Sequence, residues 1–109
     1  MSLKQGDLIW IDFDPSLGHE PQNRRPALIV SNDDFNRSTS MRLVVPITSN
    51  DNGFFLHEPL PPGHNVEGFL IMEQLRALDV EPRNPEKVDS LKKKEMIDII
   101  SLAKSFFDF

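Results

Sequence analysis

The chain has 109 residues, 39% hydrophobic and 27% charged, a globular balance that excludes a fibrous or wholly disordered polymer. That length fills about one core, so a single domain over residues 1–109 is expected. The absence of cysteine excludes disulfides, a thiol nucleophile and thiolate metal sites. Nor is there an apolar signal region or a run of the ~20 apolar residues that span a bilayer. A soluble cytoplasmic protein without membrane contact is expected. The net charge of −5 weighs against a nucleic-acid partner, whose phosphates attract basic surface. Even so, Arg24, Arg25, Arg37 and Arg42 gather in one stretch and leave a local positive groove open.

Asp7–Phe13, rich in β-branched and aromatic residues, predicts a strand that stops at the Asp14-Pro15 turn. Three prolines, Gly18 and Asn23 between Asp14 and Pro26 predict a long exposed loop, a kind of segment that often carries function. Pro26–Ser31 reads as a buried strand and Asn32–Arg37 as a connection whose polar side chains bond nearby amides. In Met41–Thr48, Met41, Leu43, Val45 and Ile47 alternate onto one apolar face, which turns Thr48 away with Arg42, Val44 and Pro46. A short strand is expected at Gly53–Leu56 and a loop over Glu58–Asn65. Two extended segments, Val66–Gln74 and Leu75–Val80, follow around a bend. Beyond the Pro82–Pro85 turn the period changes to about 3.6: Met96, Ile99, Ile100, Ala103, Phe106 and Phe107 form one stripe opposite Lys92, Lys93, Asp98, Ser101 and Lys104, with Asp89 or Ser90 as N-cap. Short strands and one terminal helix predict an α+β, mainly β class: a small, strongly bent antiparallel barrel with a C-terminal helix packed against it.

Several strings are more specific. Gly6-Asp-Leu-Ile-Trp-Ile-Asp-Phe-Asp-Pro15, Gly18-His-Glu20, Arg25-Pro26 before an apolar strand, Ser31-Asn-Asp-Asp-Phe-Asn-Arg37, Val45-Pro-Ile-Thr-Ser49 and Glu73-Gln-Leu-Arg-Ala-Leu-Asp79 resemble, in order and over nearly the whole chain, toxins of the MazF/PemK type. The resemblance implies an SH3-like barrel of the PemK/CcdB kind, a homodimer, and an antitoxin peptide that blocks the RNA groove. It also implies sequence-specific cleavage of single-stranded messenger RNA without metal or cofactor. In that chemistry the substrate's own 2′-hydroxyl is the nucleophile, and the ends left are a 2′,3′-cyclic phosphate and a 5′-hydroxyl. A base near the 2′-hydroxyl, an acid near the 5′-oxygen and donors around the phosphate are required.

The resemblance sets three residues in the catalytic role. Arg25 carries a planar five-donor fork suited to a phosphate that gains charge, although an arginine ahead of a strand is ordinarily a solvated surface residue. Thr48, at a strand end, can donate its hydroxyl to the scissile phosphate or simply cap a turn. His19 matches the PemK branch only, and its ordinary pKa near 6.5 makes it a proton carrier; a loop histidine is otherwise merely polar. Glu20, Arg24, Asn32, Ser49, Leu56, Glu73 and Gln74 are the expected RNA contacts, with the Gln74 amide able to read a base edge. The bland readings are a Glu73–Arg76 surface ion pair and turn formation by Asn32 and Asn36. His57 and His64 are expected to face solvent, Phe106, Phe107 and Phe109 to pack in the core or a dimer interface, and Lys92–Lys94 to be a solvated helix face. The PemK branch keeps an arginine where this chain has Ile71, so its acid–base assignment does not transfer intact. Three rivals remain: a CcdB-type toxin that binds DNA gyrase without catalysis, an inactive homologue that only binds antitoxin, and a metal-dependent nuclease built on Asp12 and Asp14, for which further oxygen ligands are lacking.

Overall fold

The computed structural model describes residues 2–13 and 24–108. Its elements are β1 (Asp7–Asp12), β2 (Arg24–Ile29), α1 (Asp33–Ser38), β3 (Met41–Thr48), β4 (His57–Pro59), β5 (Phe69–Ile71), β6 (Arg76–Asp79), β7 (Glu86–Ser90) and α2 (Lys93–Ser105). Single 3-10 turns occupy Met72–Gln74 and Glu81–Arg83. The strands run in the order β4-β5-β3-β2-β1-β7, and β6 also pairs with β3. One edge of β3 is shared: β6 pairs with Met41–Val44, and β5 with Ile47 and Thr48. That fork, together with a register shift in the β1–β7 pairing between Leu8 and Ile9, bends the antiparallel sheet toward the expected barrel. The pairing path does not close, and β4 and β7 remain its ends.

The three central strands are buried on both faces. Leu8, Leu28, Val45 and Ile47 pack with Met96, Ile99 and Ala103 of α2, while Ile9, Ile11, Ala27, Ile29 and Val44 pack with Leu3, Leu78 and Val80 on the other side. Two covered faces explain the unbroken apolar run of β2. They also change the reading of β3, in which Val44 and Pro46 are buried along with Val45 and Ile47.

Several elements differ from expectation. β2 begins at Arg24, so Arg24 and Arg25 belong to the strand rather than to the loop before it. Asn32–Arg37 is no simple connection, because the Asn32 side chain accepts from Phe35 N at 2.8 Å and caps α1. Gly53–Leu56 is not a strand: Asp51 and Asn52 side chains accept from Gly53 N and Phe54 N, turning the backbone locally, and the strand lies at His57–Pro59, reaching into the expected Glu58–Asn65 loop. Glu86–Ser90 pairs with β1, which displaces the N-cap of α2 from Asp89 or Ser90 to Lys92, whose N–H donates to Glu95 at 2.8 Å. Within the helical stripe Met96, Ile99 and Ala103 are buried, but Phe106 and Phe107 stay exposed. Among the described residues no helix is long and apolar enough to cross a membrane.

Candidate active site

Arg25 and Thr48 reach the site because the rows that fill the second core run out of apolar residues at one end of the sheet. β2 pairs with β3 through Ala27–Pro46, Leu28–Val45 and Ile29–Val44. Continued two residues further, the same register sets Arg25 across from Thr48. By alternation Arg25 follows Ala27 and Ile29, and Thr48 follows Val44 and Pro46, onto one face. The two residues line a common cleft of about 380 Å³, with Trp10, Pro26, Ile47 and Val66 as its apolar wall and Arg24, Ser49, Asn50, Asn65 and Glu67 as its polar rim. Arg25 is exposed and has no carboxylate partner among the described residues.

Arg24 differs sharply from its neighbour. It pairs with Asp12 at 3.2 Å and Glu86 at 3.5 Å, tying β2 to β1 and β7, so it touches carboxylates rather than being left to phosphates or to nothing. Asp12 also accepts from Asn84 at 2.8 Å; that bond first, with the Arg24 contact opposing the burial penalty, lowers its pKa. Asp14, which the metal-nuclease reading set beside Asp12, lies outside the described residues.

Thr48 is held from three sides. It pairs with Phe69 of β5, its Oγ1 accepts from Asn50 N at 3.1 Å, and Gly68 lies against its carbonyl so closely that a Cβ there would come within 2.4 Å of the oxygen. The turn-capping and catalytic readings of Thr48 are therefore compatible: the oxygen accepts from the turn, and the hydroxyl proton remains to be donated.

The other expected site residues separate. Ser49 joins the cleft. Gln74 lies in a second depression that also contains Arg25. Glu73 pairs with His57 Nε2 at 3.1 Å, and Arg76 stacks over Phe13 at 4.7 Å from the ring centroid, so no Glu73–Arg76 pair forms. Asn32 caps α1 beyond the opposite end of β2, roughly 20 Å along the strand from Arg25. Leu56 is half-buried in the turn before β4 and lines neither depression. His19 and Glu20 lie outside the described residues.

Both remaining histidines are half-buried, with their side chains turned away from solvent. The His57 side chain is 7% exposed. That of His64 is 9% exposed, and its Nδ1 lies 3.0 Å from Asp89 and its Nε2 3.0 Å from Glu95. Burial disfavours the charged ring, but the bonds to Glu95 and Asp89 outweigh it and raise the pKa of His64. This clamp ties the segment bearing Asn65 and Val66, one wall of the cleft, to the start of α2. Sequence reading missed Asn65, Glu67 and Trp10 as cleft residues; only the functional weight of Gly- and Pro-rich loops pointed toward Asn65.

Residues 4–107 match the PemK-like, MazF-like toxins of type II toxin–antitoxin systems. The chain is 33% identical over 91 residues to the endoribonuclease toxin MazF of Escherichia coli strain K12, spanning 84% of this chain and 81% of that protein. It is 30% identical over 103 residues to the Escherichia coli endoribonuclease PemK, spanning 90% and 77%. A crystal structure of MazF from Deinococcus radiodurans, 28% identical, superposes with a TM-score of 0.82 over 97% of this chain and 96% of the other.

Proposed function

The chain belongs to the PemK-like, MazF-like toxin family of type II toxin–antitoxin systems, and we propose that it is an endoribonuclease toxin that cuts single-stranded messenger RNA in the Arg25–Thr48 cleft. The observation that carries the assignment is the pairing itself: a guanidinium without a described carboxylate partner and a hydroxyl with a free proton, on adjacent strand ends, in one open cleft.

The scissile phosphate sits between them. The 2′-hydroxyl of the nucleotide on its 3′-oxygen side attacks phosphorus, a base takes the hydroxyl proton, the bond to the 5′-oxygen breaks, and an acid protonates that oxygen. The ends left are a 2′,3′-cyclic phosphate and a 5′-hydroxyl. Arg25 neutralises the charge that gathers on the non-bridging oxygens, more strongly in the transition state than in the ground state. Thr48 donates to the same phosphate. His19 is the proposed proton carrier. Ser49 in the cleft and Gln74 in the depression beside it give the strand its register, with Glu20 of the segment before β2 as a further proposed RNA contact. No metal or cofactor takes part. A cognate antitoxin peptide neutralises the toxin by filling the groove, in the cytoplasm. The exposed Phe106 and Phe107 support a homodimer through the C-terminal end of α2.

The test is digestion of a mixed-sequence single-stranded RNA in EDTA, followed by mapping of the 5′-hydroxyl ends. Recurrent sequence at those ends and 2′,3′-cyclic phosphates on the other fragments are expected. No cleavage, together with binding to DNA gyrase, would replace this reading by a non-enzymatic toxin.

A further inference from the structure

Arg25 also lines a second depression of about 320 Å³, together with Phe13, Pro46, Gln74 and Arg76. Arg76 stands on β6 across from Val44 of β3, the row of the sheet that leads through Pro46 to Thr48. Its guanidinium lies over the Phe13 ring, 4.7 Å from the centroid. Phe13 is in turn anchored from behind, because Arg83 Nη1 donates to the carbonyl oxygens of Asp12 and Phe13.

Arg25, Arg76 and Arg83 thus gather on one patch. Burial, then the charges of Arg83 and Arg25, lower the pKa of Arg76. Arg83 donates to the backbone through Nη1, while its Nε is buried without a partner among the described residues. Neither Arg25 nor Arg76 has a carboxylate partner among the described residues, whereas Arg24, one residue from Arg25, has two. Like charges held together without counter-charge among the described residues, one of them propped on an aromatic ring, make a seat for an anion. Because Arg25 belongs to both depressions, an anion seated here is a near neighbour of whatever occupies the cleft.

We propose that this second depression is an RNA subsite in which Arg76, propped on Phe13, holds the phosphate next to the scissile one while the Gln74 amide faces the attached nucleotide. The subsite extends the endoribonuclease reading above and rests on it. Arg25 then serves two successive phosphates, and Arg76 acts on binding and strand register rather than on bond breaking.

The experiment uses the full chain, an RNA that the wild type cleaves, and the 2′-O-methyl form of the same strand, which lacks the nucleophile and so reports binding alone. Arg76→Ala should weaken binding of the methylated strand about ten-fold, the scale of one lost charge-assisted bond. It should reduce the slope of log affinity against log salt by about 0.7, the share of one phosphate contact on a single strand. Its loss in kcat/KM should fall mainly on KM. Arg76→Lys, which keeps the charge, should keep the salt slope, a result that a purely structural role for the Phe13 stack does not produce. Equal affinity and equal salt slope for wild type and Arg76→Ala would overturn the subsite while leaving the nuclease intact. Absence of RNA cleavage and binding by the wild type would overturn both.

Discussion

Replacing Gly68 by alanine tests whether the position of Thr48 is set by close backbone packing. Gly68 has φ +137°, and a Cβ there would meet the Thr48 carbonyl oxygen at 2.4 Å, its carbon at 3.1 Å and Ile47 Cγ2 at 3.3 Å. Two of the three contacts are backbone atoms inside the β3–β5 pairing, so no flexible side chain can turn aside, and the strands must part by roughly 0.6 Å to restore a tolerable contact. Forced expansion of this kind costs about 1–3 kcal/mol, and a side chain at that φ adds about 1–3 kcal/mol more. Gly63→Ala is the internal control: φ is +90° and the space around it is open, so only the backbone cost applies. Urea unfolding should therefore rank wild type above Gly63→Ala and Gly63→Ala above Gly68→Ala, the last two differing by about 1–3 kcal/mol. Because a displacement of about 1 Å in a reacting group can cost 100-fold, single-turnover RNA cleavage should fall about 10- to 100-fold in Gly68→Ala and stay near wild type in Gly63→Ala. Equal stability of the two variants, or an unchanged cleavage rate in Gly68→Ala, would refute the reasoning.

Three further outcomes follow from groups away from the cleft. Asn36 is buried, accepting from Ser31 Oγ at 2.5 Å and donating to the Ser31 carbonyl at 3.0 Å; Asn36→Ala should cost about 1–3 kcal/mol in denaturant unfolding by leaving those groups unpaired. The clamp on His64 is strongest while the imidazole is protonated and Asp89 and Glu95 are ionised. The carboxylates are held low, Asp89 by the Asn65 and Ser90 amides and Glu95 by the Lys92 amide, each with His64 adding to the effect. Since the folded pKa of His64 is raised above 6.5, its contribution is complete below the unfolded value and lost as pH rises through the folded one, while acid removes it again once the carboxylates protonate. The melting-temperature gap between wild type and His64→Gln should accordingly narrow on going from pH 6 to pH 9; a constant gap would contradict the clamp. Leu28→Ala, at a position with no exposure, should destabilise by about 2–5 kcal/mol in the same unfolding assay.

What the sequence discloses follows from how local its causes are. The bounds of β3 coincide with Met41–Thr48 because its apolar alternation ends at a polar Ser-Asn-Asp-Asn stretch, and α2 was readable from its 3.6-residue stripe. β7 was not, since Glu-Lys-Val-Asp-Ser is an edge strand with little apolar surface to bury, and its pairing with β1 depends on residues nearly the whole chain away. The same holds for the histidines: beside Gly63 and Pro62, His64 has the surroundings of a solvated turn residue, but its partners lie 25 and 31 positions on. The expected Glu73–Arg76 ion pair does not form, because each side chain has a partner distant in sequence, Phe13 for Arg76 and His57 for Glu73. Arg25 and Thr48 could be paired in advance only through family resemblance, because their meeting depends on the β2–β3 register.

In the proposed mechanism Arg25 is the group that stabilises the cleaved phosphate. The direct measurement is the single-turnover rate of RNA cleavage in EDTA for wild type and for Arg25→Ala, with folding of the variant verified by its melting curve. A fall of at least ~100-fold is expected for loss of a donor that acts in the transition state, whereas a folded Arg25→Ala protein cutting RNA at the wild-type rate would contradict the assignment of the cleft.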